Sequence, residues 1–321
     1  MSEPLILEPV FHQKIWGGTT LHDRYNFSLP SEKTGEAWMV SGHQNGVEKI
    51  KNGRFAGMSL AQLWRQEPAL FENADVDRPF PLLVKLLDAH QDLSVQVHPD
   101  DEYAAEHQNE LGKTESWYVV DAAPGAEIYY GHKAQTKAEF DQLVDTSNWE
   151  QLLQKVPVKA GDFFYVPAGT LHALGAGTFV LETQQSSDVT YRVYDFDRRD
   201  VKTGQLRELH LTDAKAVTTV PFQAEKPKQT IKEITGITIT TLVTAPYFNV
   251  FKWELSGQAI LQKEAPYTLV TVIDGSAELV IDGKQYQLTG GTAFVLPADV
   301  TDWQLNGQAT LIAATPGFAA K

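Results

Sequence analysis

The apolar and polar positions of this chain change period several times. In the first two-thirds, short apolar runs broken by Gly and Pro predict strands: PLLVKLL, LSVQVH, SWYVVDA, AEIYYG, DFFYVPAG and TFVLETQQ. Many short strands at this spacing predict an all-β sandwich or barrel. Three stretches switch to helical spacing: MSLAQLWRQEPALF (58–71), DDEYAAEHQ with its acidic start, and KAEFDQLVDTSNWEQLLQKV (137–156). They are expected to flank the strands. The charged, apolar-poor stretch FQAEKPKQTIK (222–232) then breaks the pattern. Beyond it, roughly ninety residues read almost wholly as strands, and Asp274-Gly275 and Asp282-Gly283 each predict a hairpin turn. The division expected is 1–225 and 226–321.

The two units carry related stretches. GDFFYVPAGTLH (161–172) and GTAFVLPADVTD (291–302) align without gaps, matching Gly161 with Gly291 and Pro167 with Pro297, while His172 falls on Asp302. The difference between them locates the chemistry. After His210 the chain has no His and no Arg, so the second unit lacks the residue types that bind transition metals and grip phosphate.

Composition narrows the choice. With 42% hydrophobic and 10% aromatic residues, 321 residues can bury real cores. No apolar run approaches the ~20 residues that span a bilayer, and the start lacks the pattern of a signal peptide. The expectation is a soluble, cytoplasmic protein. The absence of Cys excludes disulfides and thiolate sites. A net charge of −14 disfavours nucleic acid, although a local cluster of cations can still hold one small phosphate.

Within LSVQVHPDD (93–101), period two sets Ser94, Gln96 and His98 on one face and Val95 and Val97 on the other. Of the nine histidines, His98 and His172 stand in contexts with ligand spacing. Gln96 and His98 offer two donors about 7 Å apart on one strand face. Glu115 follows in GKTESWYVV, and His172 closes VPAGTLHA. Two imidazoles, a carboxylate and an amide oxygen suit zinc, with manganese, iron or cobalt as other occupants. The competing reading is a polar patch in which Gln96 and His98 hydrogen-bond each other.

The G-D-x-x-x-V-P-x-G-x-x-H stretch resembles the second conserved motif of cupins, small β-barrels with a metal in the barrel mouth. More specifically, WGG (16–18), TGEAW (34–38), SVQVHPDD, GKTESWYV, VPAGTLHALGAG and LETQQSSDVTYRVYDFDR (181–198) resemble, in order, the blocks of type I mannose-6-phosphate isomerases of the short bacterial form. The resemblance implies a mainly β fold of two cupin-like β-barrels, the second degenerate, with a few flanking helices inserted in the N-terminal two-thirds. It makes 1–225 the catalytic domain and 226–321 the degenerate one. It implies one zinc ion per chain, held by Gln96, His98, Glu115 and His172, with an active-site arginine at Arg192 and the substrate phosphate on Lys85, Ser94 and Lys113. Long family members follow that arginine with Gly-x-Thr-Pro-Lys, where this chain has VYDFDR.

The residues themselves support part of this assignment. Glu182, Gln184 and Ser186 alternate with Thr183 and Gln185, and Thr190, Arg192 and Tyr194 alternate likewise; such polar strands face solvent or line a cavity, and the resemblance favours the cavity. Lys113 falls on the face of Glu115 if that segment is extended, whereas GKT fails as a nucleotide loop because position 107 is His. Lys85 is an isolated cation in an apolar strand, where an ammonium needs a reason to be tolerated.

The implied reaction interconverts mannose 6-phosphate and fructose 6-phosphate through an enediolate, with a metal and Arg192 facing the oxyanion. Glu182 is the candidate base; a metal-bound water, another pocket residue, or a hydride shift without a base are the alternatives. The partner expected is a small sugar phosphate, with no nucleic acid and no membrane, and the oligomeric state is open. Two other functions compete: a cupin oxygenase and a non-catalytic sugar-binding protein.

Overall fold

A computed structural model describes residues 2–199 and 203–320. The chain is mainly β, in sheets of nine, six and five strands that do not close. No helix among the described residues is long and apolar enough to cross a membrane.

The six-stranded antiparallel sheet runs, in spatial order, Phe163–Val166, Glu115–Ala122, Thr178–Gln185, Leu82–Ala89, Thr34–Ser41 and Val10–Gly18. Its central strands are buried on both faces, which explains why PLLVKLL reads as an almost continuous apolar run. Leu82, Val84 and Leu86 pack on one side with Phe248, Val250 and Leu269 of the C-terminal part. Leu87 and Ala89 point to the other side, where Trp16, Trp117 and Val180 of the same sheet meet Ile128 and Leu174 of the five-stranded sheet. That second sheet runs Tyr191–Tyr194, Val95–Val97, His172–Leu174, Glu127–His132 and Leu153–Pro157. The two sheets thus face each other across an apolar floor.

The nine-stranded sheet holds the C-terminal strands. It also takes in Leu5–Glu8, whose Leu5 lies opposite Val295 in the strand Ala293–Leu296. The alignment of the two Gly-to-His/Asp stretches has a backbone counterpart. Gly161 and Gly291 both adopt positive φ, 91° and 85°, ahead of the four-residue strands Phe163–Val166 and Ala293–Leu296. Their amides donate equivalently, to the Val119 and Val272 carbonyls. His172 is buried at the matching position, whereas Asp302 is exposed.

Two expectations about local structure fail. Asp282-Gly283 forms the expected two-residue hairpin, with φ of 50° and 75°, between Thr268–Ile281 and Lys284–Thr289. Asp274-Gly275 does not turn the chain. It lies inside the strand Thr268–Ile281 at a register shift between Val272 and Asp274, so the positive φ of Gly275 serves a bulge. The stretch 137–156 is not one helical pattern either: Lys137–Asp145 ends before Ser147 at φ 53°, Trp149–Leu152 adds one turn, and Leu153–Pro157 is a strand. A left-handed residue interrupts the helix where the amphipathic spacing alone would continue it.

Helix Leu60–Gln66 opens with a capping box between Ser59 and Gln62 and leads into the 3₁₀ turn Pro68–Phe71. Phe71 packs there against Trp64, Phe80 and Tyr267, joining the N-terminal helix to the C-terminal sheet. Phe71→Ala removes this fully buried ring, and a loss of about 3–5 kcal/mol of unfolding free energy is expected in denaturant titration.

Candidate active site

Three residues define the centre. His98 follows the strand Val95–Val97, His172 opens His172–Leu174, and Glu115 opens Glu115–Ala122, so both facing sheets contribute. All three are almost completely buried. His98 Nδ1 donates to the Val189 carbonyl at 2.8 Å and His172 Nδ1 to the Thr170 carbonyl at 2.8 Å, which leaves each Nε2 as an acceptor; that of His98 accepts from the Lys113 ammonium at 3.0 Å. Those nitrogens lie 3.4 and 3.1 Å from the Glu115 carboxylate. One ligand atom from each residue lies within 4.8 Å of the others, a grouping that can hold a metal ion.

The donor set fits such an ion. His172 Nε2 and both Glu115 oxygens are buried without a well-directed hydrogen bond, a costly arrangement unless something else binds them. Burial opposes charge on Glu115, but Lys113, His172 and His98 outweigh it and hold the carboxyl well below the usual range. Burial, reinforced by Lys113 and opposed by Glu115, pushes His98 down to about 3, so its ring is neutral as a ligand requires. Gln96 lies opposite His172 in the strand ladder, and its Oε1 is 3.5 Å from Ser94 Oγ, not bonded to His98.

Beside this cluster opens a cavity of about 320 Å³, lined in part by Lys85, Ser94, Gln96, Lys113, Glu182 and Arg192. His98, Glu115 and His172 lie behind its wall, joined to it through Lys113, whose ammonium is 2.8 Å from Glu115 and 3.0 Å from His98 Nε2. All nine residues singled out from the sequence therefore fall in one place. Tyr194 does not follow Thr190 and Arg192 into the cavity: the ladder shifts between Arg192 and Tyr194, and Tyr194 stacks on Trp149 instead.

The walls alternate charge. Lys85 lies 3.5 Å from Glu182 and 4.8 Å from the centre of the Trp38 ring, which is the reason an ammonium persists in that apolar strand. Glu182 also accepts from Trp117 Nε1 at 3.0 Å. Burial, and then repulsion from Glu115, raise its carboxyl above the ordinary range against the pull of Lys113 and Lys85. Lys14 pairs with Glu36 at 2.9 Å, and Trp38 Nε1 donates to the same carboxylate at 2.8 Å. Burial opposes the charge of Glu36, but Lys14, Lys85 and Trp38 lower its carboxyl to about 2.

Sequence reasoning missed Lys14, Glu36, Asp188 and Arg207 as cavity residues. Glu36 and Asp188 stand inside the quoted blocks TGEAW and LETQQSSDVTYRVYDFDR. Lys14 and Arg207 have no such signal. Three other histidines hold structure: His12 packs on Trp38, His43 faces Glu110, and His132 bonds the Thr219 carbonyl.

A buried His–Glu–His cluster that can hold a metal ion, behind a charged cavity between two antiparallel sheets, defines a β protein with a candidate metal centre. Comparison with known proteins is specific. Residues 5–127 match the phosphomannose isomerase type I catalytic domain, and residues 238–316 match the mannose-6-phosphate isomerase cupin domain. The mannose-6-phosphate isomerase of Streptococcus mutans is 48% identical over 314 residues, 98% of both chains. ManA of Bacillus subtilis, also named mannose-6-phosphate isomerase, is 47% identical over 312 residues, 97% of this chain and 98% of its own. A crystal structure of a mannose 6-phosphate isomerase from Bacillus subtilis superposes with a TM-score of 0.95 at 46% identity, covering 98% of this chain and 99% of that one. A phosphomannose isomerase from Salmonella typhimurium, at 15% identity and a TM-score of 0.79 over 99% of this chain and all of that one, shares the fold. The chain belongs to the type I phosphomannose isomerase family.

Two outcomes test the site. Glu115→Gln removes the central carboxylate, and metal analysis of the purified, folded variant should find the bound ion lost. Glu36 has a depressed folded-state value, so its contribution is complete above its ordinary value of 4.5 and disappears as pH falls through about 2. Stability curves of the wild type and Glu36→Gln should differ by about 3 kcal/mol at neutral pH and converge near pH 2.

Proposed function

We propose that this protein is a mannose-6-phosphate isomerase that interconverts mannose 6-phosphate and fructose 6-phosphate. Near-full-length identity of 46–48% to four curated proteins, two named mannose-6-phosphate isomerase outright and two with a qualifier, supports the reading. The single structural observation that carries the chemistry is the buried His98–Glu115–His172 cluster abutting a cavity with a candidate base and several cations.

Gln96, His98, Glu115 and His172 would hold one zinc ion. When bound, that ion supplies Lewis-acid polarisation of a carbonyl and charge for a developing oxyanion. The protein's own groups do the rest. Glu182 moves the proton between C2 and C1: burial, and then Glu115, raise its carboxyl above the ordinary value, and the Trp117 indole fixes one of its oxygens. Arg192 adds fixed positive charge on the side of Gln96, its neighbour in the strand ladder. Lys85, Ser94 and Lys113 contribute substrate contacts from the wall. The Leu87, Leu93 and Leu174 side chains beneath exclude water from the floor of the cavity.

The finer architecture belongs to the same reading. We take 1–225 as the catalytic unit and 226–321 as a degenerate cupin-like unit, supported by the shared backbone of the Gly161 and Gly291 stretches. The enzyme acts on a small sugar phosphate in the cytoplasm, and its net charge of −14 argues against nucleic acid as a partner.

A coupled assay of fructose 6-phosphate formation tests the reading, run on chelator-treated protein before and after zinc is restored. Activity should vanish with the metal and return with it. Glu182→Gln should lower kcat by roughly 10²–10⁴-fold while the variant keeps its metal. Metallated, folded wild-type protein that fails to turn over mannose 6-phosphate would end the isomerase assignment.

A further inference from the structure

We propose that the C-terminal unit holds a second ligand site, on the side of its sheet turned away from the catalytic cavity, and that the ligand is an uncharged saccharide. The site stands whether or not the isomerase reading does.

A cavity of about 620 Å³ opens there, larger than the catalytic one of about 320 Å³ and of a size that suits a small molecule. Its floor comes from three neighbouring strands of the nine-stranded sheet, Ile237–Thr244, Phe248–Gln262 and Asp302–Pro316. Successive residues of a strand point to opposite faces. Phe248 and Val250 pack with Leu82, Val84 and Leu86 of the catalytic sheet, so Asn249 and Phe251 point away from it, where they line this cavity. The six- and nine-stranded sheets therefore both stand between the two cavities.

The ladder sorts the floor by polarity. Thr244, Asn249 and Thr315 lie side by side as one polar row. Thr241 opposite Phe251 makes the next row on the same face, and Ile239 opposite Trp253 the one after. Trp303 stands beside Trp253, with ring centres 6.4 Å apart and planes 23° apart. A polar edge thus meets an aromatic floor within a few residues. A sugar ring carries the matching surfaces, C–H groups on its faces and hydroxyls around its rim.

Hydrogen-bonding groups remain for those hydroxyls. Asn249 Nδ2 donates to Thr315 Oγ1 at 3.1 Å and to the Pro316 carbonyl at 3.4 Å, which fixes the amide and leaves Oδ1 without a partner among the described residues. Trp303 lines the cavity and is almost completely buried, and its Nε1 has no hydrogen-bond partner. A donor left in that state is costly, and an oxygen of a bound ligand would relieve it.

Charge sets this site apart from the catalytic one. Lys232 and Glu264 are the charged residues of the lining, and they pair with each other at 2.9 Å on the exposed rim. With no unmatched cation, a phosphate would lose its hydration without compensation, whereas a neutral ring needs only hydrogen bonds and apolar contact. Ile260 and Phe318, two of the few large apolar residues left exposed, edge the same cavity. Exposed apolar surface bordered by polar groups is the mark of a binding site.

The test uses metallated full-length protein and three probes with no phosphate and no free carbonyl: methyl α-mannoside, methyl α-glucoside and sucrose. Saturation-transfer NMR and calorimetry measure their binding to the wild type, Asn249→Leu, Thr241→Val and Glu182→Gln, with turnover and Tm recorded for each. At least one probe should bind the wild type. Asn249→Leu should weaken it at least about fivefold, and Thr241→Val should act in the same direction, both with turnover near the wild-type value. Glu182→Gln, in the catalytic cavity, should leave probe binding unchanged. Thr241→Val carries the test if Asn249→Leu does not fold. Absence of binding for all three probes overturns the proposal, as does binding that Glu182→Gln removes or that neither folded C-terminal variant weakens. The neutral apolar dye N-phenylnaphthylamine is the rival probe: if it binds in this cavity and the sugars do not, the saccharide assignment falls.

Discussion

A single buried carboxylate organises this protein. Glu115 sits at the start of a strand with no access to water, where an unpaired charge would cost several kcal/mol. Two imidazoles from the facing sheet and one ammonium from its own segment surround it, and the ring orientations are fixed by backbone carbonyls on the far side. Neither sheet alone could meet that demand. The carboxylate ties the six-stranded to the five-stranded sheet at the point where chemistry needs a fixed geometry, and it does so with nitrogens that also suit a metal.

The six-stranded sheet has two tasks because both its faces are covered. Leu82, Val84 and Leu86 anchor it to the C-terminal part, while Lys85 and Glu182, which lie opposite each other in adjacent strands, stand on the cavity side. This arrangement gives the C-terminal strands a physical role despite their lack of His and Arg. They supply the apolar surface that keeps the back of the catalytic sheet dry, which lets its front carry buried charge. The N-terminal strand Leu5–Glu8 joins their sheet and binds the two ends of the chain together.

Charge in the cavity is arranged by pairing more than by amount. Lysines matched one to one with carboxylates give a polar wall whose protonation states are held by their neighbours, suited to hydroxyls and a migrating proton. Arg198 and Arg207 share one aspartate, Asp195, and Arg207 lines the same cavity as the paired lysines.

The alternation of LSVQVHPDD, the matched Gly161 and Gly291 stretches and the ordered motif blocks were sufficient to identify strands, the chemical half of the chain and the candidate ligands, because each is a local pattern of period or residue type. The same local logic misjudged Asp274-Gly275, since a Gly with positive φ serves a bulge as well as a turn, and only the pairing partner distinguishes them. It ran the pattern 137–156 past Ser147 for a similar reason. Lys14 and Arg207 were invisible because their significance comes from Glu36 and Asp195, their partners across the fold, and not from spacing. The sequence by itself determined which residue types could do the chemistry. The tertiary structure decided which cation meets which carboxylate, because burial and distance set the energy of a charge, and neither exists until the sheets face each other.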